Sequence, residues 1–251
     1  MQISACGTAL GIRRRTFMAT NNFVKYADLL TVNGVDPETD KEKFVFIPAE
    51  GEYVFGKYAE GMMMTGGCPS LAVRKTVYEK LINVSKRLKA VDPNYKLWVG
   101  YAFREMKVQQ AIFEQILEEF KDQFDDELEL YERIHERIAI PTVAGHPTGG
   151  AVDVAIYDES KGDSIDFGTA LDDLTTDLIY YDRDDISEEA RTNRKVLRDA
   201  MMAEGFAPYD GEWWHFCYGD KEWAFYYKKD KALYNQIYSF EDLDIEDIPG
   251  L

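Results

Sequence analysis

The sequence predicts an α+β fold, a small antiparallel sheet flanked by helices. Three observations lead there. Beyond the first 65 residues, segments with helical spacing of apolar residues alternate with short runs rich in β-branched and aromatic residues. No internal repeat and no Pro/Gly/Ser-rich joint divides that region, which favours one principal domain. The chain of 251 residues is 45% apolar, enough to bury a sizeable core. We divide it into an N-terminal extension at 1–45, a main domain at 46–240 and an acidic tail at 241–251.

The elements follow in order. Val73, Val77, Leu81, Val84 and Leu88 recur at helical spacing, with Ser70 placed to cap the start and Pro93 just past the end. Residues 97–103 read as a strand. Arg104 sits at its junction with a second amphipathic helix that begins near Glu105 and buries Ile112, Phe113, Ile116, Leu117, Phe120 and Phe124. A turn at 147–150 then leads into a strand over 151–157, where the β-branched residues share one face and Asp153 shares the other with two alanines. A lone carboxylate between small residues calls for a partner. A third helix runs from a Ser187 cap to Gly205, turning Ala190, Leu197, Ala200 and Met201 inward. Last, 212–218 and 221–227 read as two aromatic strands joined by Gly219-Asp220 in a tight hairpin.

Charge and composition exclude several function classes. Twenty-nine Lys and Arg against 46 Asp and Glu leave a net charge of -17, which repels phosphate backbones and anionic membranes. Nucleic acid and membrane are therefore not expected partners. No stretch approaches the roughly 20 uninterrupted apolar residues of a membrane helix. The basic run Arg13 to Arg15 is followed by a segment too short and polar for a signal-peptide core. Cys6, Cys68 and Cys217 make an odd count at spacings that suggest neither a disulfide framework nor a metal knuckle. A cytoplasmic location is the expectation.

Chemistry concentrates around two of only three histidines. His146 lies seven residues before Asp153, and His215 lies three after Glu212. A catalytic zinc site needs about three imidazole or carboxylate ligands, a position open to water, and a carboxylate outside the coordination sphere to take the water's proton. His146, Asp153, His215 and Glu212 supply that set. Strict strand alternation would put Glu212 and His215 on opposite faces, so this segment must bulge or turn for both to serve one site. His135 lies in the charged stretch 132–137 and is read as solvated, with no role.

Together these pieces resemble the D-alanyl-D-alanine dipeptidases of the vancomycin-resistance type. The family's Ser-x-His, two residues, Gly-x-Ala-x-Asp is similar to the segment 144–153, with His146, Gly149, Ala151 and Asp153 in register, and its Glu-x-Trp-His is similar to Glu212-Trp213-Trp214-His215. Further likeness runs through Phe55-Gly56-Lys57 to Gly61, the segment 100–104, the box 167–172, and Asn193-Arg194 to Gly205-Phe206, so that about residues 50 to 228 are covered. The resemblance implies a hedgehog/D,D-peptidase-like fold and one Zn2+ per chain on His146, Asp153 and His215. It implies Glu212 as general base and acid, Arg104 steadying the oxyanion, and Asp172 gripping the amino group of a small dipeptide substrate. The reaction expected is hydrolysis of D-alanyl-D-alanine or a similar dipeptide, in peptidoglycan metabolism. Two alternatives stand beside it: a D,D-carboxypeptidase acting on peptidoglycan stem peptides, and a catalytically silent zinc-bound binding domain. Three positions depart from the family pattern. Ala144 replaces a serine, Thr148 a residue that is often arginine, and Glu105 a proline after Arg104; the first two bear on which dipeptide is cleaved, and the third on the turn into the second helix.

Overall fold

The computed structural model describes residues 23–60 and 70–246. Cys6, the basic run Arg13 to Arg15, Gly61, Cys68 and the last five residues of the acidic tail lie outside the described residues.

In chain order the strands are β1 (Phe44–Phe46), β2 (Val54–Gly56), β3 (Ala72–Arg74), β4 (Tyr95–Tyr101), β5 (Ala151–Asp158), β6 (Asp163–Ser164), β7 (Ala207–Pro208) and β8 (His215–Cys217). The α-helices are α1 (Tyr26–Leu29), α2 (Lys75–Val91), α3 (Met106–Phe120), α4 (Glu127–His135), α5 (Glu188–Ala203) and α6 (Lys221–Tyr226). The fold is α+β. Its main sheet has the order β2-β4-β5-β8-β7, with β6 on β5, and is antiparallel except at the β2–β4 edge. A second sheet consists of β1 and β3.

Sequence and structure agree closely over the middle of the chain. Pro93 follows α2, whose Val77, Leu81, Val84 and Leu88 form one buried face against the main sheet. Each such aliphatic side chain contributes roughly 1.5–3 kcal/mol on leaving water. Glu105 directly precedes α3, and Ser187 caps α5 by accepting the Ala190 N–H at 2.9 Å. Gly205, at φ +82°, ends α5 in the left-handed region that glycine enters without strain.

Two elements differ from expectation. The first helix starts at Lys75, not near Ser70, because Ala72 to Arg74 pair with Phe46 to Phe44 and extend as β3, which buries Val73 as a strand residue. The expected hairpin is not formed either. Residues 215–217 do form a strand, but it pairs with β5 and β7. The next segment is the helix α6, because the Asp220 carboxylate accepts the Trp223 N–H at 2.8 Å. Asp220 is a helix cap and not a turn residue.

The helices form two groups. The main core lies where α2 and α5 meet the sheet. A separate apolar cluster joins α1, α3 and α4 through Tyr26, Leu29, Phe113, Ile116, Leu130 and Ile134. Segments from both ends of the described chain come together here: β1 lies against β3, and Phe44 forms a parallel bridge with Ile245. Cys217 is a buried free thiol. Among the described residues no helix is long and apolar enough to cross a membrane.

Candidate metal centre and substrate pocket

Strand pairing brings two of the expected ligands together. In the β5–β8 ladder Asp153 stands opposite His215, and the His215 Nδ1 lies 2.9 Å from Asp153 Oδ1. His146 arrives from a 3-10 turn, His146–Thr148, that ends at Gly149 with φ +72°. A side chain on Gly149 would meet the Phe44 ring at 2.2 Å, so glycine is required there for conformation and for space. The His146 Nδ1 donates to the Ala102 carbonyl at 2.7 Å, which leaves the lone pair on Nε2, 3.3 Å from Asp153 Oδ2. A backbone acceptor of this kind is the usual means of fixing the tautomer of a metal-binding imidazole.

One ligand atom from each of His146, Asp153 and His215 lies within 4.8 Å of the other two, with Asp153 buried and both imidazoles nearly so. That donor set, two nitrogens and one carboxylate oxygen beside a cleft, fits a catalytic zinc ion. Burial by itself would raise the Asp153 carboxyl, but the adjacent imidazoles His146 and His215 hold it well below the usual range. Burial works against charge on His215, yet its hydrogen bond to Asp153 lifts it to about 10, while burial keeps His146 neutral despite the same carboxylate. The Asp153 carboxylate thus holds one proton on the His215 ring. A divalent cation would displace that proton.

The conflict over Glu212 and His215 resolves in a local turn. The His215 N–H donates to the Glu212 carbonyl at 3.2 Å, so the chain reverses through Trp213 and Trp214, and both Glu212 and His215 line the same cleft. Arg104 lines it as well. Its Nε donates to the Tyr101 hydroxyl at 3.0 Å and its Nη1 to Gln109 Oε1 at 2.9 Å, and Gln109 in turn donates to the Ala139 carbonyl at 2.6 Å. The neighbouring Glu105, which replaces the family's proline, is 4% exposed and accepts the Phe240 N–H at 2.8 Å. It ties the C-terminal segment to the start of α3 and leaves the Arg104 guanidinium in the cleft.

Asp172 also lines the cleft, at the unusual φ of +64° for a residue with a side chain. Its Oδ2 is buried with no hydrogen-bond partner, and its carboxyl is pushed well up, first by burial and then by Asp153 and Glu212. All six residues singled out from the sequence therefore border one cleft.

Two further residues escaped the sequence reading. Glu222, within the supposed second hairpin strand, lines the cleft with a buried, unpartnered Oε1. Burial pushes its carboxyl up to about 8 against the opposing charge of His215. His135 is half-buried and not simply solvated: its ring lies beside that of Tyr26, it lines the cleft, and burial lowers it to about 4. Charged neighbours in sequence misled there because α4 turns one side inward. No sequence signal marked either residue.

Comparison with known proteins agrees with the geometry. Residues 70–239 match the family model described as Peptidase_M15, D-ala-D-ala dipeptidase. The D-alanyl-D-alanine dipeptidase of Synechocystis sp. is 26% identical over 181 residues, which is 62% of this chain and 73% of that protein. The Streptomyces coelicolor D-alanyl-D-alanine dipeptidase is 36% identical over 73 residues, covering 29% of this chain and 36% of that one. Among solved structures, VanYB in complex with D-alanine-D-alanine overlaps at a TM-score of 0.37 with 15% identity, covering 75% and 86% of the two chains. A vancomycin-resistance D,D-pentapeptidase VanY mutant in complex with Zn(II) overlaps at 0.35 with 16% identity, covering 69% and 82%. Overlap at that level does not by itself define a common fold. The match over 70–239 does define the family, and the chain belongs to Peptidase_M15, the D-ala-D-ala dipeptidases.

Proposed function

We propose that this metallopeptidase is a zinc-dependent dipeptidase that hydrolyses D-alanyl-D-alanine or a similarly short peptide. The observation that carries the reading is the convergence of His146, Asp153 and His215 beside Glu212 in one cleft. In this reading His146, Asp153 and His215 would hold one zinc ion, which when bound would act as a Lewis acid and lower the pKa of water to about 7. Glu212 would take a proton from the attacking water and return it to the leaving amine, so one carboxyl serves as base and then acid. Arg104 keeps its charge throughout and stabilises negative charge developing on the carbonyl oxygen; its bonds to Tyr101 and Gln109 fix its position beforehand. Asp172 receives the substrate's ammonium. Its unpartnered oxygen is what favours a free amino terminus, and hence a dipeptidase over a carboxypeptidase acting on longer stem peptides.

The test is metal analysis combined with a substrate panel. We expect one zinc per chain and release of free alanine from D-alanyl-D-alanine. Glu212→Ala should keep the metal and lose about 10²-fold or more of the rate. Loss of zinc in that variant would make Glu212 a ligand and overturn the assigned roles. Equal turnover of amino-blocked peptides would replace the dipeptidase reading by the carboxypeptidase one. A zinc-loaded chain inert toward the whole panel would leave a binding domain.

A further inference from the structure

The cleft lining is chemically mixed. It includes the acidic residues Glu212, Asp172 and Glu222, the last two each with a buried oxygen that has no hydrogen-bond partner. It also includes the residues from His135, at the end of α4, to Ala139, together with Arg104, Gln109 and Ala144. A dipeptide is a zwitterion, and the acidic residues suit only its ammonium end. Its carboxylate needs a hydrogen-bond donor elsewhere in the lining.

The described groups there are largely committed. Gln109 spends its carbonyl on Arg104 and its amide on the Ala139 carbonyl. Arg137 is paired with Glu119 at 2.7 Å. Ala144 brings no hydroxyl. His135 is different, because its Nδ1 accepts the Ile140 N–H at 3.3 Å. Accepting at Nδ1 places the ring proton of the neutral imidazole on Nε2, as a donor. The Tyr26 ring, 6.1 Å from the imidazole between centroids, packs beside it. Among the described residues the charged group that acts on His135 is Glu132, whose carboxylate is already held by the Tyr26 and Ala27 N–H groups. Burial keeps the ring neutral through the physiological range, so it remains a donor of fixed tautomer.

We propose that the Nε2–H of His135 receives the C-terminal carboxylate of the substrate, making His135 a specificity-determining residue for peptides that end two residues from the free amine. The inference rests on the dipeptidase reading above.

The two ring nitrogens can be replaced separately. Asparagine places its oxygen near the position of Nδ1 and keeps the acceptor for Ile140, but has nothing at Nε2. Glutamine places its amide nitrogen near Nε2 and keeps the donor. Zinc-loaded wild type, His135→Asn and His135→Gln should be compared on D-alanyl-D-alanine and on its C-terminal amide. We expect wild type to favour the free acid, and His135→Asn to raise KM for the acid by about tenfold or more while KM for the amide and both kcat values hold. His135→Gln should recover most of the preference. A preference that survives in His135→Asn and fails in His135→Gln would overturn the inference and leave the imidazole a support for Ile140. Equal KM changes for acid and amide would overturn it too. If wild type turns over neither substrate, the dipeptidase reading falls and this inference falls with it.

Discussion

Arg194 offers a direct measure of how the fold holds the loop that carries Asp172. Its side chain projects from α5, 1% exposed, and donates to three backbone carbonyls: Phe167 at 2.8 Å, Tyr180 at 2.7 Å and Leu178 at 2.7 Å. Those carbonyls bracket Asp172. The guanidinium also lies 5.7 Å from the Trp213 ring centre, and Trp213 stacks on Phe167 and donates to the Thr169 hydroxyl. Hydrogen bonds from a charged donor contribute about 1.5–3 kcal/mol each, so three set a ceiling of roughly 5–9 kcal/mol. Burial of the charge opposes them and lowers the guanidinium from its ordinary value to about 10. Arg194→Met relieves that burial but orphans the carbonyls, and we expect a net loss of about 3–5 kcal/mol. For a chain of this size that lowers Tm by roughly 10 °C. Urea unfolding at fixed zinc concentration gives the free energy, and KM for D-alanyl-D-alanine should rise as the Asp172 loop loosens. A loss below about 1 kcal/mol, or an unchanged KM alongside a large loss, would refute the link between Arg194 and the loop.

Two further predictions concern charge in the cleft. Arg104→Lys keeps the charge but cannot reproduce the fork that engages Tyr101 and Gln109. Its kcat should fall by about 10²-fold with zinc content unchanged, and a fall of less than threefold would remove Arg104 from the reaction. Acid sensitivity should trace in part to His135. Its folded value, about 4, lies below the 6.5 of an exposed ring, so its contribution is intact above pH 6.5 and is lost as pH falls toward 4. Between pH 7.5 and pH 5 the loss is about 2 kcal/mol, and the metal-free His135→Gln variant should show a correspondingly flatter decline in urea unfolding. Parallel declines in both proteins would contradict the burial of that ring.

Much of the fold and site was legible in the sequence because it rests on short-range rules. The apolar spacing of α2 and the second and third predicted helices, the Ser187 cap and the Gly205 stop each depend on residues within a turn or two of one another. The candidate ligand set stood out for a different reason: histidine is scarce here, and the spacings around His146 and His215 match a family motif. What misled was local ambiguity. Gly219-Asp220 suits a hairpin turn or a helix cap equally well until Trp223 supplies the N–H that Asp220 accepts. Val73 fits the helical period of α2, but β1, nearly 30 residues earlier, draws it into a strand.

By itself the sequence singled out the groups proposed to do chemistry and the helical segments that carry the core. Only the tertiary structure decided how those groups face one another. The register that sets Asp153 against His215, the turn that swings Glu212 onto the same side, and the Ala102 carbonyl that fixes the His146 tautomer are long-range pairings. The burial of His135 and Glu222 belongs to the same class, since a side chain's surroundings depend on which distant elements close over it. Sequence periodicity records which face of a segment is apolar; it does not record what that face meets.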